Sequence, residues 1–257
     1  LKKDFLVKTG RKILPKSRFR SYIGKKFQKQ VIDENNNRVW GTDTNTPLQS
    51  LEAMKFTLTL LEKCVTTLEG DVIECGVYKG GTSFQIAKKL KSLNSKKYLY
   101  ALDTFEGHPY DDFHDMPEEL KKEAFGDEEP IKFKGSLNNV DIKQIRKLFL
   151  KNNLDNTIFL KGLFEKTFLE ISDKKFCFAH VDADSYVSVK QCIEFLKDRM
   201  CSKGIILFDD YNYHEYKGCN KAVDESLGKS SLCIIKEKNI SNVDKRGNIA
   251  RAYWIKP

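Results

Sequence analysis

Asp71-Val-Ile-Glu-Cys-Gly-Val-Tyr-Lys-Gly-Gly-Thr-Ser83 is the stretch that decides how this chain of 257 residues folds. Its apolar start, Val72 and Ile73, predicts a buried strand, and a helix is expected to begin near Thr82 or Ser83. The turn between them is built on glycines, which reach backbone angles closed to other residues: Gly76, Gly80 and Gly81. A strand, a glycine-rich turn and a helix in this order predict the first unit of a nucleotide-binding α/β fold.

The spacing of the turn narrows the choice of ligand. Gly76-x-x-x-Gly80-Gly81 is not the G-x-G-x-x-G of dinucleotide-binding proteins, and no Lys-Ser/Thr pair completes a P-loop. Glu74, which we expect in the turn, would repel a phosphate group but would attract a cationic amino group. We therefore expect S-adenosylmethionine, which combines an adenosine with an amino-acid tail. The alternative is an ordinary tight turn of some other α/β protein.

Length and composition favour one α/β domain with a sizeable core. The chain is 40% hydrophobic, and it contains no run of 18 apolar residues that would predict a membrane-spanning helix. The number of cysteines, seven, is odd, and no C-x-x-C motif occurs. We interpret these residues as reduced, mostly buried thiols of a cytoplasmic protein, and not as a disulfide framework or a zinc site.

The positive charge is concentrated in an N-terminal arm. The net charge is +9, but residues 1–30 hold eleven Lys and Arg residues against one acid, so the rest of the chain is nearly neutral. We divide the chain into a basic arm over residues 1–45 and a domain over residues 46–257. The arm is expected to be solvated, with a few docked aromatic side chains. Its alternatives are packing on a partner subunit, peripheral contact with an anionic membrane and binding of nucleic acid, of which the last is not expected.

Apolar runs and helical patterns alternate along the domain. Thr46 and Pro47 predict the start of a first helix. Further strands are predicted at residues 97–102, 157–160, 173–181, 204–208, 231–235 and 249–255, and further helices at residues 82–93, 140–150, 188–200 and 219–227. Strands that alternate with helices predict parallel pairing, whereas the last two strands predict an antiparallel pair. The expected fold is therefore α/β: a doubly wound, Rossmann-like, mostly parallel seven-stranded sheet with a C-terminal antiparallel hairpin.

Acids follow several of the predicted strands. Asp103 ends the second strand, where this architecture binds a ribose diol. Asp182, Asp209 and Asp210 follow two consecutive strands, and clustered carboxylates repel one another unless a cation lies among them. Oxygen ligands favour a hard ion such as Mg²⁺ or Ca²⁺, which would bind two substrate oxygens and lower the pKa of a hydroxyl. The alternative is that these acids only cap helices.

The sequence offers several histidines as candidates for a general base. His214 follows the last pair of acids and could reach a bound hydroxyl, so it is the candidate. His180 is expected one step deeper in the sheet, and His108 and His114 lie in the acidic, aromatic segment of residues 108–130. That segment has the position of a lid or substrate loop, or of a plain surface insertion. A metal would make a separate base unnecessary.

Four motifs together carry a family resemblance. They are Glu74-Cys-Gly-Val-Tyr-Lys-Gly-Gly81, Asp103-Thr-Phe-Glu-Gly107, Val181-Asp-Ala-Asp184 with Tyr186, and Asp209-Asp-Tyr211 followed by Gly218-Cys-x-x-Ala-Val-Asp-Glu225. In this order and spacing, the sequence resembles the macrocin O-methyltransferase family, whose members methylate sugar hydroxyls, notably on macrolide antibiotics. The basic arm lies outside the shared pattern.

The resemblance implies a class I methyltransferase fold, S-adenosylmethionine as methyl donor, and Mg²⁺ or another hard divalent cation as cofactor. It implies that Asp182, Asp209 and Asp210 are the metal ligands, and it implies a homo-oligomer in which N-terminal segments shape a neighbour's site. The residues that would bind the donor are Glu74, Gly76, Tyr78, Gly80 and Ser83 around the turn, Asp103 and Thr104 after the second strand, Gly162 and Leu163 near the adenine, and Asp182 with Asp184.

We therefore expect an S-adenosylmethionine- and Mg²⁺-dependent O-methyltransferase of a sugar hydroxyl. The acceptor would be a glycoside or a nucleotide-linked sugar of a natural product or a surface polysaccharide. A catechol-like phenol is the first alternative, because it also offers two vicinal oxygens to a metal. A non-catalytic, nucleotide-binding Rossmann-like protein is the second, and the mutually repelling carboxylates argue against it. An NAD-dependent oxidoreductase is disfavoured by the glycine spacing.

Overall fold

The structure, a computed structural model, describes residues 6–9, 12–15, 49, 51–130, 132–213, 216–235, 242–243 and 249–257. The strands are, in chain order, β1 Leu6–Thr9, β2 Lys12–Pro15, β3 Asp71–Cys75, β4 Leu99–Asp103, β5 Thr157–Lys161, β6 Phe176–Val181, β7 Met200–Phe208, β8 Leu232–Ile234, β9 Asn242–Val243, β10 Ile249–Ala250 and β11 Ala252–Ile255. The α-helices are α1 Leu51–Thr67, α2 Gly81–Ser92, α3 Glu118–Phe125, α4 Ile142–Lys151, α5 Phe164–Glu170, α6 Tyr186–Leu196 and α7 Lys217–Leu227. Within these described residues, every helix is too short or too polar to cross a membrane.

Seven of the strands form one sheet in the order β5-β4-β3-β6-β7-β11-β8. Neighbours from β5 to β7 pair in parallel, whereas β11 is antiparallel to both β7 and β8. The predicted seven-stranded, mostly parallel sheet with an antiparallel C-terminal pair is confirmed. The strand order reverses between β3 and β6, and sheets of this kind bind ligands in the crevice at that point.

Helices cover both faces of the sheet. One apolar core lies under α6 and α7, and the other lies under α1, α2 and α4. Strand β6 is covered on both faces, so all six of its residues are buried, and five of them are apolar. The sixth is His180, whose ring is fully buried and therefore requires polar partners. Those partners belong to the site described below.

Several boundaries differ from the expected ones. Helix α6 begins at Tyr186 instead of residue 188, because the Ser185 side chain caps it by accepting a hydrogen bond from the third residue of the helix. Helix α3 interrupts the segment of residues 108–130, which the sequence predicts to be irregular. The predicted last strand is divided at Arg251, which separates β10 from β11.

The basic arm is described only in part. Its strands β1 and β2 pair antiparallel, so this part of the arm is a hairpin. The predicted helix start at Thr46 and Pro47 lies outside the described residues, and α1 itself begins at Leu51. The division of the chain after residue 45 therefore stays a prediction.

The cysteines are free thiols, as the sequence predicts. Five of the seven are buried and two are half-buried. Burial raises the pKa of Cys64 to about 11 and that of Cys177 to about 12. Such thiols stay protonated at neutral pH and act as small apolar side chains.

Candidate active site

Three parallel strands end at the same point of the sheet. The last residue of β6 lies opposite the last residue of β3 and that of β7. Gly76, Asp182 and Asp209, which follow these strands, are therefore neighbours. A Cβ atom on Gly76 would lie 1.8 Å from the carbonyl oxygen of Asp182, and the φ angle of Gly76 is +89°. Only glycine allows this approach of the first turn to the acids.

Asp103 holds the glycine-rich turn in place. Its Oδ2 accepts hydrogen bonds from the backbone N–H groups of Val77 at 2.7 Å and Tyr78 at 2.9 Å. Its Oδ1 accepts one from the N–H of Phe105 at 2.6 Å. Asp103 thus joins the turns that follow β3 and β4. The contact between Asp103 and a ribose stays a prediction. The carboxylate that would make this contact already accepts hydrogen bonds from three N–H groups.

The other predicted donor-binding residues surround the same turn. Gly80 has a φ angle of +81° and precedes the first residue of α2, so unpaired N–H groups of the helix end face the crevice. The Tyr78 hydroxyl donates to Oδ1 of Asn139 at 2.9 Å. Thr104 follows β4, and Gly162 and Leu163 connect β5 to α5. The structure therefore gathers these residues at one edge of the sheet.

Glu74 lies in strand β3 and not in the turn, which corrects the expectation. The strand continues past its apolar pair, since Glu74 is paired with β4 and β6 on either side. Its carboxylate is only 1% exposed and accepts a hydrogen bond from the Ser83 hydroxyl. Its Oε1 lies 3.2 Å from Nδ1 of His180. The predicted contact between Glu74 and the amino group of a donor stays a prediction.

Four buried polar side chains form a closed ring beside Glu74. Nε2 of His180 lies 3.4 Å from Oδ1 of Asp209 and 3.3 Å from Nε2 of Gln49. Arg251 closes the ring, because its Nε donates to Oδ1 of Asp209 at 2.7 Å and its Nη2 donates to Oε1 of Gln49 at 2.9 Å. None of the four residues is more than 5% exposed. We call this group the arginine ring: Gln49, His180, Asp209 and Arg251.

Asp209, the acid of the arginine ring, has two basic partners. Burial acts to raise the pKa of Asp209, but the Arg251 guanidinium and His180 outweigh it and hold that pKa below its usual value. Burial also disfavours a charged His180, yet its hydrogen bonds to Asp209 and Glu74 raise the pKa of this histidine to about 10. The carboxylate of Asp209 therefore meets the Arg251 guanidinium and the ring of His180.

A second acidic group lies next to the ring, and its charges are not balanced. We call it the acid triad, and one carboxylate oxygen from each member lies within 4.8 Å of the others: Asp182, Asp184 and Asp210. Burial raises the pKa of each acid well above its usual value, and repulsion by neighbouring acids adds to the effect. Oδ2 of Asp210 is buried without a hydrogen-bond partner among the described residues. Such an oxygen is one that a bound cation would satisfy.

The predicted metal ligands span both groups. Asp182 and Asp210 belong to the acid triad, and Asp209 belongs to the arginine ring. Oxygens of Asp182 and Asp209 also lie within 4.8 Å of each other and of a ring nitrogen of His180. Asp182 belongs to both groupings, but no such grouping among the described residues holds Asp182, Asp209 and Asp210 together, and metal binding by these three stays a prediction.

His108 contacts a member of the acid triad. Its Nε2 is 3.3 Å from Oδ2 of Asp184, and its ring packs edge-on against Phe133 at 4.9 Å between centroids. Burial lowers the pKa of His108, so its ring is neutral at pH 7 and adds no positive charge. His114 is exposed. His214, the predicted base, lies outside the described residues.

Asp112 attaches the acidic segment of residues 108–130 to helices α6 and α7. Its carboxylate is 1% exposed and accepts hydrogen bonds from the N–H groups of Tyr186 at 2.8 Å and Gly218 at 3.1 Å. These donors belong to the first turns of α6 and α7, where a negative charge is favourable. Burial raises the pKa of Asp112 to about 6 despite these bonds. The segment of residues 108–130 is thereby fixed to the elements that carry the acid triad.

Sequence reasoning did not single out Gln49, Asp112 or Arg251. A signal existed for Arg251, because a charged residue inside an apolar strand pattern must find a partner when it is buried. Gln49 lies 202 positions away from Arg251, and only the folded chain brings the two together. Asp112 is one of nine acids in its segment, and nothing in the sequence distinguishes it.

The chain is similar to several known O-methyltransferases. Residues 11–254 match the family described as Macrocin-O-methyltransferase (TylF). An 8-demethyl-8-(2,3-dimethoxy-alpha-L-rhamnosyl)-tetracenomycin-C 4'-O-methyltransferase from Streptomyces olivaceus is 26% identical over 227 residues, which cover 84% of this chain and 79% of that protein. The O-methyltransferase NovP has a similar structure, with a TM-score of 0.66 at 19% identity, and the match covers 93% of this chain and 98% of NovP. An O-methyltransferase from Bacillus cereus in complex with SAH has a TM-score of 0.52 at 12% identity, with coverage of 94% and 89%.

Proposed function

The chain belongs to the macrocin-O-methyltransferase (TylF) family and is a methyltransferase, and we propose that it transfers a methyl group from S-adenosylmethionine to a sugar hydroxyl with the help of Mg²⁺. The acceptor is a glycoside or a nucleotide-linked sugar of a natural product or a surface polysaccharide. One observation carries the proposal: the acid triad, with the buried Oδ2 of Asp210 that lacks a partner among the described residues, adjoins the glycine-rich turn.

The glycine-rich turn supports the choice of donor. Gly76 and Gly80 let the backbone approach a ligand closely, and the N-terminus of α2 faces the same crevice. In the proposal, Asp103 contacts the ribose, and Gly162 and Leu163 lie near the adenine. The Bacillus cereus enzyme of the same fold is described with SAH, the product that S-adenosylmethionine leaves after methyl transfer. That complex supports the donor class without identifying contacts in this chain.

The chemistry of the acids supports the metal. All the predicted ligands are carboxylates, which suit a hard divalent cation such as Mg²⁺. Without a cation, the acid triad retains protons, because burial and mutual repulsion raise the pKa of each member. We propose that Asp182, Asp209 and Asp210 hold the ion. A bound ion would supply Lewis acidity that lowers the pKa of an acceptor hydroxyl.

The acceptor hydroxyl must lose its proton during methyl transfer. Asp184 is a candidate to receive it, because a carboxylate with a raised pKa is a stronger base than an ordinary one. Its neighbour His108 lies 3.3 Å away and is positioned by packing on Phe133. His214 remains the second candidate from the sequence. Whichever of these residues accepts the proton, the acidic segment anchored by Asp112 would help to exclude water from the reaction.

The choice of a sugar acceptor rests on the relatives. The Streptomyces olivaceus enzyme is named for methylation at the 4' position of a compound that carries a rhamnosyl group.

We also propose a cytoplasmic homo-oligomer whose basic arm contacts a partner subunit or the surface of a membrane. The excess of eleven basic residues over one acid in residues 1–30 supports such a contact.

Calorimetric titration tests the donor and the metal together. S-adenosylmethionine and S-adenosylhomocysteine are titrated into the protein with Mg²⁺ and with EDTA, and saturable binding is expected. Glycosides and catechols are then compared as acceptors by the release of S-adenosylhomocysteine. Glycoside methylation that EDTA abolishes supports the proposal. Preference for catechols would favour the phenol alternative, and absence of donor binding in both conditions would overturn the proposal.

A further inference from the structure

Arg251 combines a buried charge with an unusual backbone. It is the largest fully buried side chain among the described residues. Its φ angle of +149° lies in a region that residues with side chains rarely adopt. The residue separates β10 from β11, so a regular strand is interrupted at this position. A strained backbone and a buried cation at one residue indicate a role beyond packing.

The guanidinium of Arg251 contacts the site and α1 at the same time. Both Nε, at 2.7 Å, and Nη2 donate to Oδ1 of Asp209. Nη1 donates to the carbonyl oxygen of Ala53 in α1 at 3.2 Å, and Nη2 also donates to Gln49. His180 contacts the same Oδ1 from the other side. One oxygen of Asp209 is therefore held from two directions by groups that are themselves fixed.

We propose that Arg251 is a positioning residue that fixes Asp209 through Oδ1 and so sets the affinity of the site for a divalent cation. This inference rests on the proposed function, because it takes Asp209 as a metal ligand beside Asp182 and Asp210. Groups that orient a metal ligand contribute strongly to metal affinity, and their loss typically weakens it about 10- to 100-fold. Through Ala53, the same guanidinium also attaches this edge of the sheet to α1.

The geometry requires arginine and not only a positive charge. A guanidinium is planar and presents several N–H donors in a fixed fork, whereas a lysine ammonium is a point charge on a flexible stem. Lysine at position 251 would keep the charge beside Asp209 but would not reproduce donors to Asp209, Gln49 and Ala53 together. The variant Arg251→Lys therefore separates the orientation of Asp209 from the compensation of its negative charge.

The test measures Mg²⁺ binding by calorimetry in protein saturated with S-adenosylhomocysteine, for wild type and Arg251→Lys. The dissociation constant for Mg²⁺ should rise about tenfold or more, while the affinity for S-adenosylhomocysteine stays within about twofold. Arg199→Lys is the matched control. Arg199 donates to the carbonyls of Ser172 and Phe195 and stacks on the Phe195 ring. These contacts do not involve the proposed metal ligands, so the Mg²⁺ affinity of the Arg199→Lys variant should equal that of wild type.

Two outcomes would overturn the inference. One is wild-type Mg²⁺ affinity in Arg251→Lys. The other is a parallel loss of Mg²⁺ affinity, S-adenosylhomocysteine affinity and melting temperature, which would assign Arg251 a purely structural role. Failure of the wild type to bind Mg²⁺ while it binds S-adenosylhomocysteine is distinguishable from both, because it would refute the metal in the proposed function and the inference with it.

A measurement on the wild type covers the case in which Arg251→Lys does not fold. The chain has four histidines, so the NMR signals of their rings can be assigned with single variants. Addition of Mg²⁺ should shift the signal of His180, which shares Oδ1 of Asp209 with Arg251. The signal of the exposed His114 should stay unchanged. An unshifted His180 at saturating Mg²⁺ would contradict the inference.

Discussion

The arginine ring and the acid triad lie side by side, yet they accommodate buried carboxylates in opposite ways. In the ring, Asp209 meets the Arg251 guanidinium and the ring of His180, and its pKa is held below the usual value. In the triad, Asp182, Asp184 and Asp210 mainly meet one another, and their pKa values are raised. Oδ1 of Asp209 is therefore satisfied within the protein, whereas Oδ2 of Asp210 has no hydrogen-bond partner among the described residues. Neighbouring acids can thus have different functions, which their partners determine.

Asp209→Asn should produce the largest change in stability. The substitution removes the carboxylate charge but leaves the Arg251 guanidinium buried and without its anion. Breaking a buried ion pair on one side typically costs about 3–5 kcal/mol of the free energy of unfolding. Chemical denaturation in EDTA measures the effect. Stability within about 1 kcal/mol of wild type, well below that range, would show that the ring does not depend on this pair.

Asp210→Asn should act in the opposite direction. It removes one of three repelling carboxylates and introduces an amide that can donate to the remaining two. Relief of an unsatisfied buried oxygen is worth roughly 1–3 kcal/mol, so the variant should be more stable than wild type in EDTA. It should also lose the stabilisation by Mg²⁺ and the methyl transfer. If both Asn variants lost stability equally, the contrast between ring and triad would not hold.

The fold was predictable because its signals are local. Alternating apolar strands and helical patterns identified the parallel sheet, and the paired last strands identified its antiparallel edge. The order of acids after the strands also placed Asp182, Asp209 and Asp210 together, since parallel strands end at one edge of the sheet.

The division of these acids into two groups was not predictable, because it depends on contacts between distant residues. Arg251 and Asp209 are 42 positions apart, and Gln49 and His180 are 131 positions apart. Glu74 was misplaced into the turn because an acid is rare in a central strand, and its partners Ser83 and His180 are visible only in the folded chain. The local sequence pattern identifies where strands end, whereas only the three-dimensional structure shows which basic group compensates which acid.

The dependence of stability on pH should also separate the two groups. The triad acids have raised pKa values, so from about pH 4 upward the native state binds more protons than the unfolded state, and stability falls as pH rises. His180, with a pKa of about 10, adds a fall between about pH 6.5 and pH 10. The pKa of Asp209 is lowered, so its contribution is lost only in acid.

Denaturation at several pH values between 5 and 7, with EDTA and with Mg²⁺, measures this dependence. In EDTA the free energy of unfolding should fall by on the order of 1 kcal/mol per pH unit. Mg²⁺ should flatten the slope, since a bound cation replaces the protons of the triad. Asp210→Asn should flatten it without Mg²⁺. A slope that is the same with Mg²⁺ and with EDTA would mean that the triad is not the cation site.

His108→Gln should have the smallest effect, and it tests whether the triad holds an internal cation. Since burial lowers the pKa of His108, its ring is neutral at pH 7.5, and glutamine retains an N–H donor for Asp184. The dissociation constant for Mg²⁺, measured by calorimetry, should therefore change less than about threefold, or about 0.7 kcal/mol. His114→Gln is the exposed control. If His108 were instead an imidazolium paired with Asp184, its removal would take a positive charge away from the triad and strengthen Mg²⁺ binding well beyond that limit. The triad would then be partly compensated like the ring, and the difference between the two groups would be one of degree.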